Sequence, residues 1–263
     1  MNTKPQLEVD ACVFDAYGTL FDFNSAASAA RSELGEDWQR VSDLWRQKQL
    51  QYTWLRGLAG HHADFWQVTG EALDFALATL KIERPGLRER LMDLYLKLAT
   101  YPEVPETLRR LKATGRKLAI LSNGTPAMLE AVVNCAGMQQ MFDAVLSVEE
   151  VGVYKPHPAV YGLACTRLEI ERSRICFLSS NAWDAYSAKA FGMRVLWCNR
   201  FGQAPERIPA TPDGEISELS VLPNLLASAT GRYGDIHIAT HFGRPQRNPT
   251  QVADRLARVP FWD

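Results

Sequence analysis

The sequence lacks several features that would assign it to a membrane, a secretory route or a nucleic-acid partner. Residues 1–10, MNTKPQLEVD, contain no apolar stretch of the kind found in secretory signals. The longest uncharged runs, such as residues 118–129, are too short and too polar to cross a bilayer. Lys and Arg number 29 against 30 Asp and Glu, so no basic surplus favours nucleic acid or an anionic membrane. We expect a cytoplasmic protein that binds neither.

Paired cysteines are also lacking. The five cysteines follow no CxxC spacing, and three of them, Cys12, Cys176 and Cys198, fall within apolar runs. Scattered cysteines in apolar segments are typical of buried free thiols in a reducing compartment, rather than of disulfides or a zinc site. We therefore expect neither a structural metal nor a disulfide framework.

What the sequence does contain is an alternation of strand-like and helix-like segments. Continuous apolar runs predict strands covered on both faces, as in a parallel sheet, at residues 11–14, 118–121, 145–148, 175–178 and 195–198. Helix-like stretches fall between them, at residues 105–114, 126–136, 159–168 and 183–191. This repetition predicts an α/β fold with a doubly wound parallel sheet.

The connection between the first two predicted strands is far longer than a crossover helix requires. It contains amphipathic runs at residues 38–58, 62–80 and 87–99, in the first of which Val41, Leu44, Trp45, Lys48, Tyr52 and Leu55 recur at spacings of three and four. We predict a core at residues 1–23 and 102–227, with a helical cap inserted at residues 24–101. Residues 228–263 form a C-terminal extension whose role the pattern leaves open.

Polar groups follow four of the predicted strands or turns in succession. They are the turn after Asp15, the sequence Ser122-Asn123-Gly124, Lys155 between two prolines, and the sequence Ser179-Ser180-Asn181-Ala182-Trp183-Asp184. A single Asp at a strand end is more often a helix cap than a catalytic group. Four such segments in order predict one site, because ligands of open α/β sheets bind beyond the carboxyl ends of the strands.

This order of groups resembles the haloacid dehalogenase superfamily, over roughly residues 9–226. The resemblance implies a Rossmann-like core with a cap and a nucleophilic Asp15. Most members of that superfamily are Mg²⁺-dependent phosphatases with a second Asp two residues after the nucleophile. Here that position is Tyr17, and the last motif has Ser180 and Asn181 where a pair of acids is usual. Halide leaves without protonation, so the loss of a general acid suits attack on carbon. We expect no metal and no other cofactor.

The segments FDAYGTLFD, LWRQKQL, LSNG, YKPHP and SSNAWD resemble, in particular, the L-2-haloacid dehalogenases. That resemblance implies conversion of short-chain L-2-haloacids to D-2-hydroxyacids with inversion. Asp15 would attack C2 and form an aspartyl ester. Water would then hydrolyse the ester at the carboxyl carbon of Asp15, helped by Asp184. Members of the family are commonly homodimers, and the apolar cap residues agree with a dimer.

The same resemblance implies roles for the remaining site residues. Lys155 would lie beside Asp15 as its counter-ion, and Arg46 from the cap would receive the halide together with Asn123. Backbone amides around Ser122 and Asn123 would bind the substrate carboxylate. The predicted apolar wall around C2 consists of Phe65 and Trp183 with Leu50 beside them, and Tyr17 is a further residue expected to bind the substrate. The residues expected to orient the nucleophile and the substrate are Thr19, Ser179, Asn181 and Tyr161.

Three alternatives stay open at this stage. One is a metal-dependent phosphatase, against which Tyr17 argues. Another is opening of a strained cyclic carboxylic acid by the same attack from Asp15, which the residues do not exclude. A third is a binding protein without activity, and the presence of Asp15, Arg46, Lys155 and Asp184 together argues against it because a binder needs no nucleophile.

Overall fold

The computed structural model of the protein describes residues 7–227, so the predicted extension at residues 228–263 lies outside the described residues. A six-stranded parallel sheet has the order β3-β2-β1-β4-β5-β6. The strands are β1 (Ala11–Phe14), β2 (Lys117–Ser122), β3 (Ala144–Ser147), β4 (Ile175–Ser179), β5 (Arg194–Cys198) and β6 (Gly214–Ile216). The predicted α/β fold with a doubly wound parallel sheet is confirmed.

Helices connect the strands. Those between β1 and β2 are α1 (Asn24–Ala29), α2 (Arg31–Leu34), α3 (Trp38–Ala59), α4 (Phe65–Thr79), α5 (Leu87–Tyr95) and α6 (Val104–Lys112). The others are α7 (Pro126–Cys135), α8 (Pro158–Leu168), α9 (Ala182–Phe191) and α10 (Leu222–Leu225). Within residues 7–227, no helix is long and apolar enough to cross a membrane.

Burial along the strands explains why some were easier to predict than others. All four residues of β1 and all five of β4 are buried, which requires cover on both faces because successive side chains point to opposite sides. At the edges, β3 and β6 are only partly buried, and Val145 of β3 is 42% exposed. The prediction missed β6, a three-residue strand beginning with Gly and Glu, neither of which favours strands. It also placed β3 one residue late.

The position of β1 creates the crevice for a site. The chain builds outward from β1 through β2 to β3, then returns to the other side of β1 with β4. Such a reversal leaves an opening at the carboxyl ends of the neighbouring strands β1 and β4. The residue that follows β1, Asp15, donates its backbone N–H to the carbonyl of Leu178 in β4 at 2.9 Å.

Helices α1 to α5 form the inserted segment between the two halves of the core. Side chains from α3, α4 and α5, including Trp45, Phe65 and Leu91, are buried. The helix predicted at residues 87–99 ends earlier, at Tyr95, and the chain then runs back to the core. On this return Ala99 accepts from the N–H of Asp22 at 2.8 Å. The two connections therefore lie side by side, as expected for a hinge, while the predicted division at residues 24 and 101 stays a prediction.

Candidate active site

Three hydrogen-bond donors surround the carboxylate of Asp15. Lys155 Nζ lies 3.0 Å from Oδ1, while Asn181 Nδ2 and Thr19 Oγ1 lie 2.8 and 3.1 Å from Oδ2. Asp15 itself is 6% exposed. Because both carboxylate oxygens accept hydrogen bonds from separate parts of the chain, the group is held in one orientation before any ligand binds.

The turn after β1 prepares this arrangement. Gly18 has a φ of 92°, a conformation that favours glycine, and its N–H donates to Phe21 O at 2.7 Å. The tight turn brings Thr19 back toward Asp15. Thr19 Oγ1 accepts from the N–H of Ser180 at 2.8 Å, which leaves its own proton for Asp15. The turn predicted after Asp15 is therefore present.

Lys155 also binds the second acid of the site. Its Nζ lies 2.9 Å from Asp184 Oδ2, and Tyr161 donates its hydroxyl to Asp184 Oδ1 at 2.7 Å. Burial by itself lowers the pKa of Lys155, but the charges of Asp15 and Asp184 outweigh it and the pKa lies above its ordinary value. The ammonium therefore stays charged at neutral pH.

Two carboxylates share this one ammonium, so the group of three carries a net negative charge in the interior. Burial raises the pKa of Asp184 above its ordinary value, with the charge of Asp15 adding to the rise, and Lys155 and the hydroxyl of Tyr161 oppose it. Burial likewise raises the pKa of Tyr161 well above its usual range, so its hydroxyl keeps the proton that it donates. A carboxylate of raised pKa is suited to accepting a proton from water.

Arg46 reaches the site from α3 of the inserted segment. Its Nη2 lies 3.3 Å from the Tyr17 carbonyl and 3.3 Å from Asn181 Oδ1. Its Nη1 donates to Gln49 Oε1 at 2.8 Å. The guanidinium lies 5.3 Å from the centre of the Phe23 ring. Helix α3 thus places a cation next to the turn after Asp15, where an anion could be received.

The turn after β2 forms another side of the site. Ser122 Oγ accepts from the Gly124 N–H at 3.1 Å, and Asn123 Oδ1 accepts from the Lys155 N–H at 3.1 Å. Within the described residues, the amide nitrogen of Asn123 donates to no protein group and remains available to a ligand. A Cβ on Gly124 would lie 2.9 Å from the ring and from the hydroxyl oxygen of Tyr17, so only glycine fits beneath this ring.

Aromatic rings from the turn after β1 and from the inserted segment pack against each other. The Tyr17 ring packs on Phe65 and Tyr95 with centroids 5.8 and 5.4 Å apart. Trp183, half-buried at the start of α9, meets Trp54 of the cap edge to face at 5.3 Å.

For two of the predicted site residues, the structure does not show the expected contact. Leu50 lies one turn after Arg46 on α3 and is half-buried, so its place in the apolar wall stays a prediction. Ser179 does not bond Asp15; its hydroxyl accepts from the Asn181 N–H at 3.1 Å and shapes the turn.

The acidic groups do not suit a divalent cation. Among residues 7–227, no three His, Cys, Asp or Glu side chains are grouped to hold a metal. The two acids present, Asp15 and Asp184, are bridged by the ammonium of Lys155. A cation there would meet a fixed positive charge in the place where Mg²⁺ needs oxygen ligands. The residues therefore do not fit the metal that a phosphatase of this fold would use.

Several contacts that complete the site were not predicted. Gln49 and Tyr95 hydrogen-bond each other and adjoin Arg46 and Tyr17, and Gly124 accommodates the Tyr17 ring. A sequence signal existed for Gln49, because it follows Arg46 by three residues and so shares its helix face. Tyr95 had no comparable signal, and Gly124 was predicted only as part of the turn after the second strand, since the contact that each makes with Tyr17 joins distant segments.

The chain matches the family described as haloacid dehalogenase-like hydrolase over residues 9–192. It is 46% identical to (S)-2-haloacid dehalogenase 1 of Pseudomonas sp. (strain CBS-3) over 223 residues, 84% of this chain and 98% of that protein. It is also 46% identical to (S)-2-haloacid dehalogenase 4A of Burkholderia cepacia over 218 residues, covering 82% of this chain and 94% of that protein.

A solved structure of L-2-haloacid dehalogenase from Xanthobacter autotrophicus, with chloropropionic acid covalently bound, is similar in fold as well. Its TM-score is 0.78 at 38% identity, covering 82% of this chain and 98% of that one. Since the family match extends over more than half of the chain, and relatives above 40% identity are covered almost completely, this protein belongs to the haloacid dehalogenase-like hydrolases.

Proposed function

We propose that this protein hydrolyses the carbon–halogen bond of short-chain L-2-haloacids and releases D-2-hydroxyacids. The observation that carries the proposal is the carboxylate of Asp15, held by Lys155, Asn181 and Thr19 beneath Arg46 of the cap. The named relatives, which are (S)-2-haloacid dehalogenases at 46% identity, support the same substrate class.

In the first step an oxygen of Asp15 attacks C2 of the substrate, and the carbon–halogen bond breaks as the carbon–oxygen bond forms. Attack from the side opposite the halogen inverts C2. The electron pair leaves with the halide, which Arg46 receives together with the free amide nitrogen of Asn123. Backbone amides around Ser122 and Asn123 hold the substrate carboxylate, and Tyr17, Phe65, Leu50 and Trp183 provide an apolar surround.

In the second step water attacks the carboxyl carbon of Asp15, and the ester bond breaks to release the hydroxyacid and restore the carboxylate. Asp184 takes one proton from this water, because burial raises its pKa, and passes it to the leaving oxygen of the hydroxyacid; the second proton of the water is lost to solvent as the Asp15 carboxylate is restored. Tyr161 and Lys155 hold Asp184 in place. The covalently bound chloropropionic acid in the Xanthobacter autotrophicus relative supports an ester of this kind.

A phosphatase reaction has less support. When a phosphate ester is cleaved, its alcohol portion leaves as an alkoxide and needs a proton. The residue two positions after Asp15 is Tyr17, whose pKa is raised well above its usual range by burial. The bridge from Lys155 to both acids also occupies the place of a metal. The departure of a halide requires neither a proton nor a metal.

The deciding experiment measures halide release from each enantiomer of 2-chloropropionate, first with EDTA and then with added Mg²⁺. We expect release from the L form alone and no effect of EDTA. No halide from either enantiomer, together with Mg²⁺-dependent hydrolysis of a phosphate ester, would replace the proposal by a phosphatase. Chiral chromatography of the product tests inversion.

We also infer a cytoplasmic homodimer. Leu55 and Leu58 of α3 are 53% and 89% exposed, and Trp54 and Phe75 add to this apolar surface of the cap. Neighbouring apolar side chains in contact with water favour association. Sedimentation equilibrium of the wild type and of Leu58→Lys tests the dimer, and a monomeric wild type at micromolar concentration would exclude it.

A further inference from the structure

A buried polar network lies behind Arg46, inside the cap. Gln49 is 1% exposed, and its Oε1 accepts from Arg46 Nη1 at 2.8 Å and from the Tyr95 hydroxyl at 3.2 Å. Its Nε2 donates to Thr69 Oγ1 at 2.7 Å and lies 3.1 Å from the Tyr95 oxygen. Polar groups buried to this degree are costly unless each is satisfied, so the network holds a defined geometry.

Thr69 determines which end of the Gln49 amide faces Arg46. The Thr69 hydroxyl donates its single proton to the Phe65 carbonyl at 2.6 Å. Its oxygen can then only accept, and the group of Gln49 that faces it must be the NH₂. A reversed amide would set two oxygens against each other at Thr69 and two donors against each other at Arg46.

We propose that Gln49 and Thr69 are positioning residues that hold the Arg46 guanidinium in the orientation needed to receive halide. The inference rests on the proposed function. Gln49 Oε1 fixes one terminal nitrogen, Nη1, so that the other terminal nitrogen, Nη2, points to the Tyr17 carbonyl and Asn181. An arginine side chain that is not fixed in this way has considerable rotamer freedom, which would be lost at each turnover. Preorganisation removes that cost from the reaction.

The chain offers a matched pair of threonines for the test. Thr69 and Thr53 are both fully buried helical residues, and each donates its hydroxyl to a carbonyl of its own helix. Of the two hydroxyls, only that of Thr69 hydrogen-bonds the Gln49 side chain. Thr69→Val should lower kcat for halide release about tenfold, because misplacement of a reacting group is costly. Thr53→Val should leave kcat unchanged. Thr69→Ser, which keeps the hydroxyl, should retain the kcat of the wild type.

A double-mutant cycle distinguishes positioning from a general loss of structure. If Thr69 acts through Arg46, Thr69→Val should have little further effect on kcat in an Arg46→Lys background. Additive losses of kcat would overturn the proposal, as would equal effects of Thr69→Val and Thr53→Val. Gln49→Met provides a second variant if Thr69→Val does not fold, and the same lack of additivity with Arg46→Lys is expected.

A second measurement does not depend on turnover. In protein labelled with ¹⁵N-arginine, the Nε signal of Arg46, identified by its loss in Arg46→Lys, should show restricted motion in the wild type and greater motion in Thr69→Val. A wild type that released no halide would remove the proposed function, while the signal would still report whether Gln49 and Thr69 hold Arg46. Equal mobility in both proteins would overturn the positioning role.

Discussion

Nζ of Lys155 donates a hydrogen bond of 2.9 Å to Oδ2 of Asp184, and both side chains are almost completely buried. A buried ion pair contributes little net stability compared with apolar residues of the same shape, but removing one partner leaves an uncompensated charge. Here the cost falls on two carboxylates, because the same ammonium also binds Asp15.

Lys155→Met therefore should be strongly destabilising at neutral pH, by about 3–5 kcal/mol in the free energy of unfolding. The variant should also be inactive, because Lys155 lowers the pKa of Asp184 and its loss raises that pKa further. A group whose pKa is raised by folding loses its contribution to stability as the pH rises through the folded pKa. The deficit of the variant against the wild type should thus shrink in acid, where Asp184 becomes neutral.

Denaturant titrations at pH 4 and pH 7 measure this difference. The matched control is Lys97→Met, at an exposed position of the chain. An equal deficit for Lys155→Met at both pH values would contradict the electrostatic explanation.

Tyr161→Phe removes the hydroxyl that donates to Asp184 Oδ1 at 2.7 Å and keeps the ring. A hydrogen bond to a charged group contributes roughly 1.5–3 kcal/mol, so we expect kcat to fall by about one to two orders of magnitude. Because the hydroxyl lowers the pKa of Asp184, its loss raises that pKa, and the acid limb of the kcat profile should move to higher pH.

The control for this variant is Tyr186→Phe, also in a buried tyrosine, whose ring packs against Trp197 at 6.4 Å. Rates measured between pH 4 and pH 10 should show the displaced limb in Tyr161→Phe alone. A fall in kcat without any displacement would mean that Tyr161 acts on something other than Asp184.

Asp15 is expected to supply the oxygen of the product. In a single turnover in H₂¹⁸O, with enzyme in excess, the hydroxyacid should carry ¹⁶O, because its oxygen comes from the Asp15 carboxylate. The water oxygen should appear in Asp15, and mass spectrometry of the peptide that contains it makes the measurement. Label in the product of the first turnover would instead indicate direct attack of water on C2.

Asp15→Asn should abolish turnover and leave the fold intact, since the amide can still occupy the same space. Circular dichroism checks the fold, and mass spectrometry checks that no deamidation has restored the acid. Full activity in a verified Asp15→Asn protein would remove Asp15 as the nucleophile.

Gly124→Ala tests the close approach beneath Tyr17. The added Cβ would lie 2.9 Å from the Tyr17 ring, so the ring must move or the turn after β2 must shift. Overpacking of this kind costs typically 1–3 kcal/mol, and the displaced wall should lower kcat/KM as well.

In the matched variant Gly162→Ala, the new Cβ meets only Phe191, at an ordinary 3.9 Å. We expect that variant to retain full activity, with stability equal to or above the wild type, because alanine favours helix. Thermal unfolding measures stability and halide release measures activity. Equal stability and activity of the two variants would show that the Tyr17 ring moves aside without cost.

Local pattern was sufficient for the centre of the sheet and for most helices. The strands β1, β2, β4 and β5 consist of apolar runs that are buried on both faces, and such runs are visible in any reading of the residues. The edge strand β6 escaped prediction because Gly214–Ile216 becomes a strand by pairing with β5, Leu196 opposite Gly214, and not by its own propensity.

The sequence by itself determined which chemical groups would meet. Polar segments that follow strands of a parallel sheet end at one edge, so Asp15, Asn181 and Asp184 were expected at one site whatever the details of packing. Tertiary structure alone decided the distances at which Lys155 bridges Asp15 and Asp184, the single orientation of the Gln49 amide and the fit of Gly124 under Tyr17. The physical reason is the separation of the contacting residues along the chain. Lys155 and Asp15 are 140 residues apart, and a hydrogen bond of 3.0 Å between them depends on how every intervening element packs.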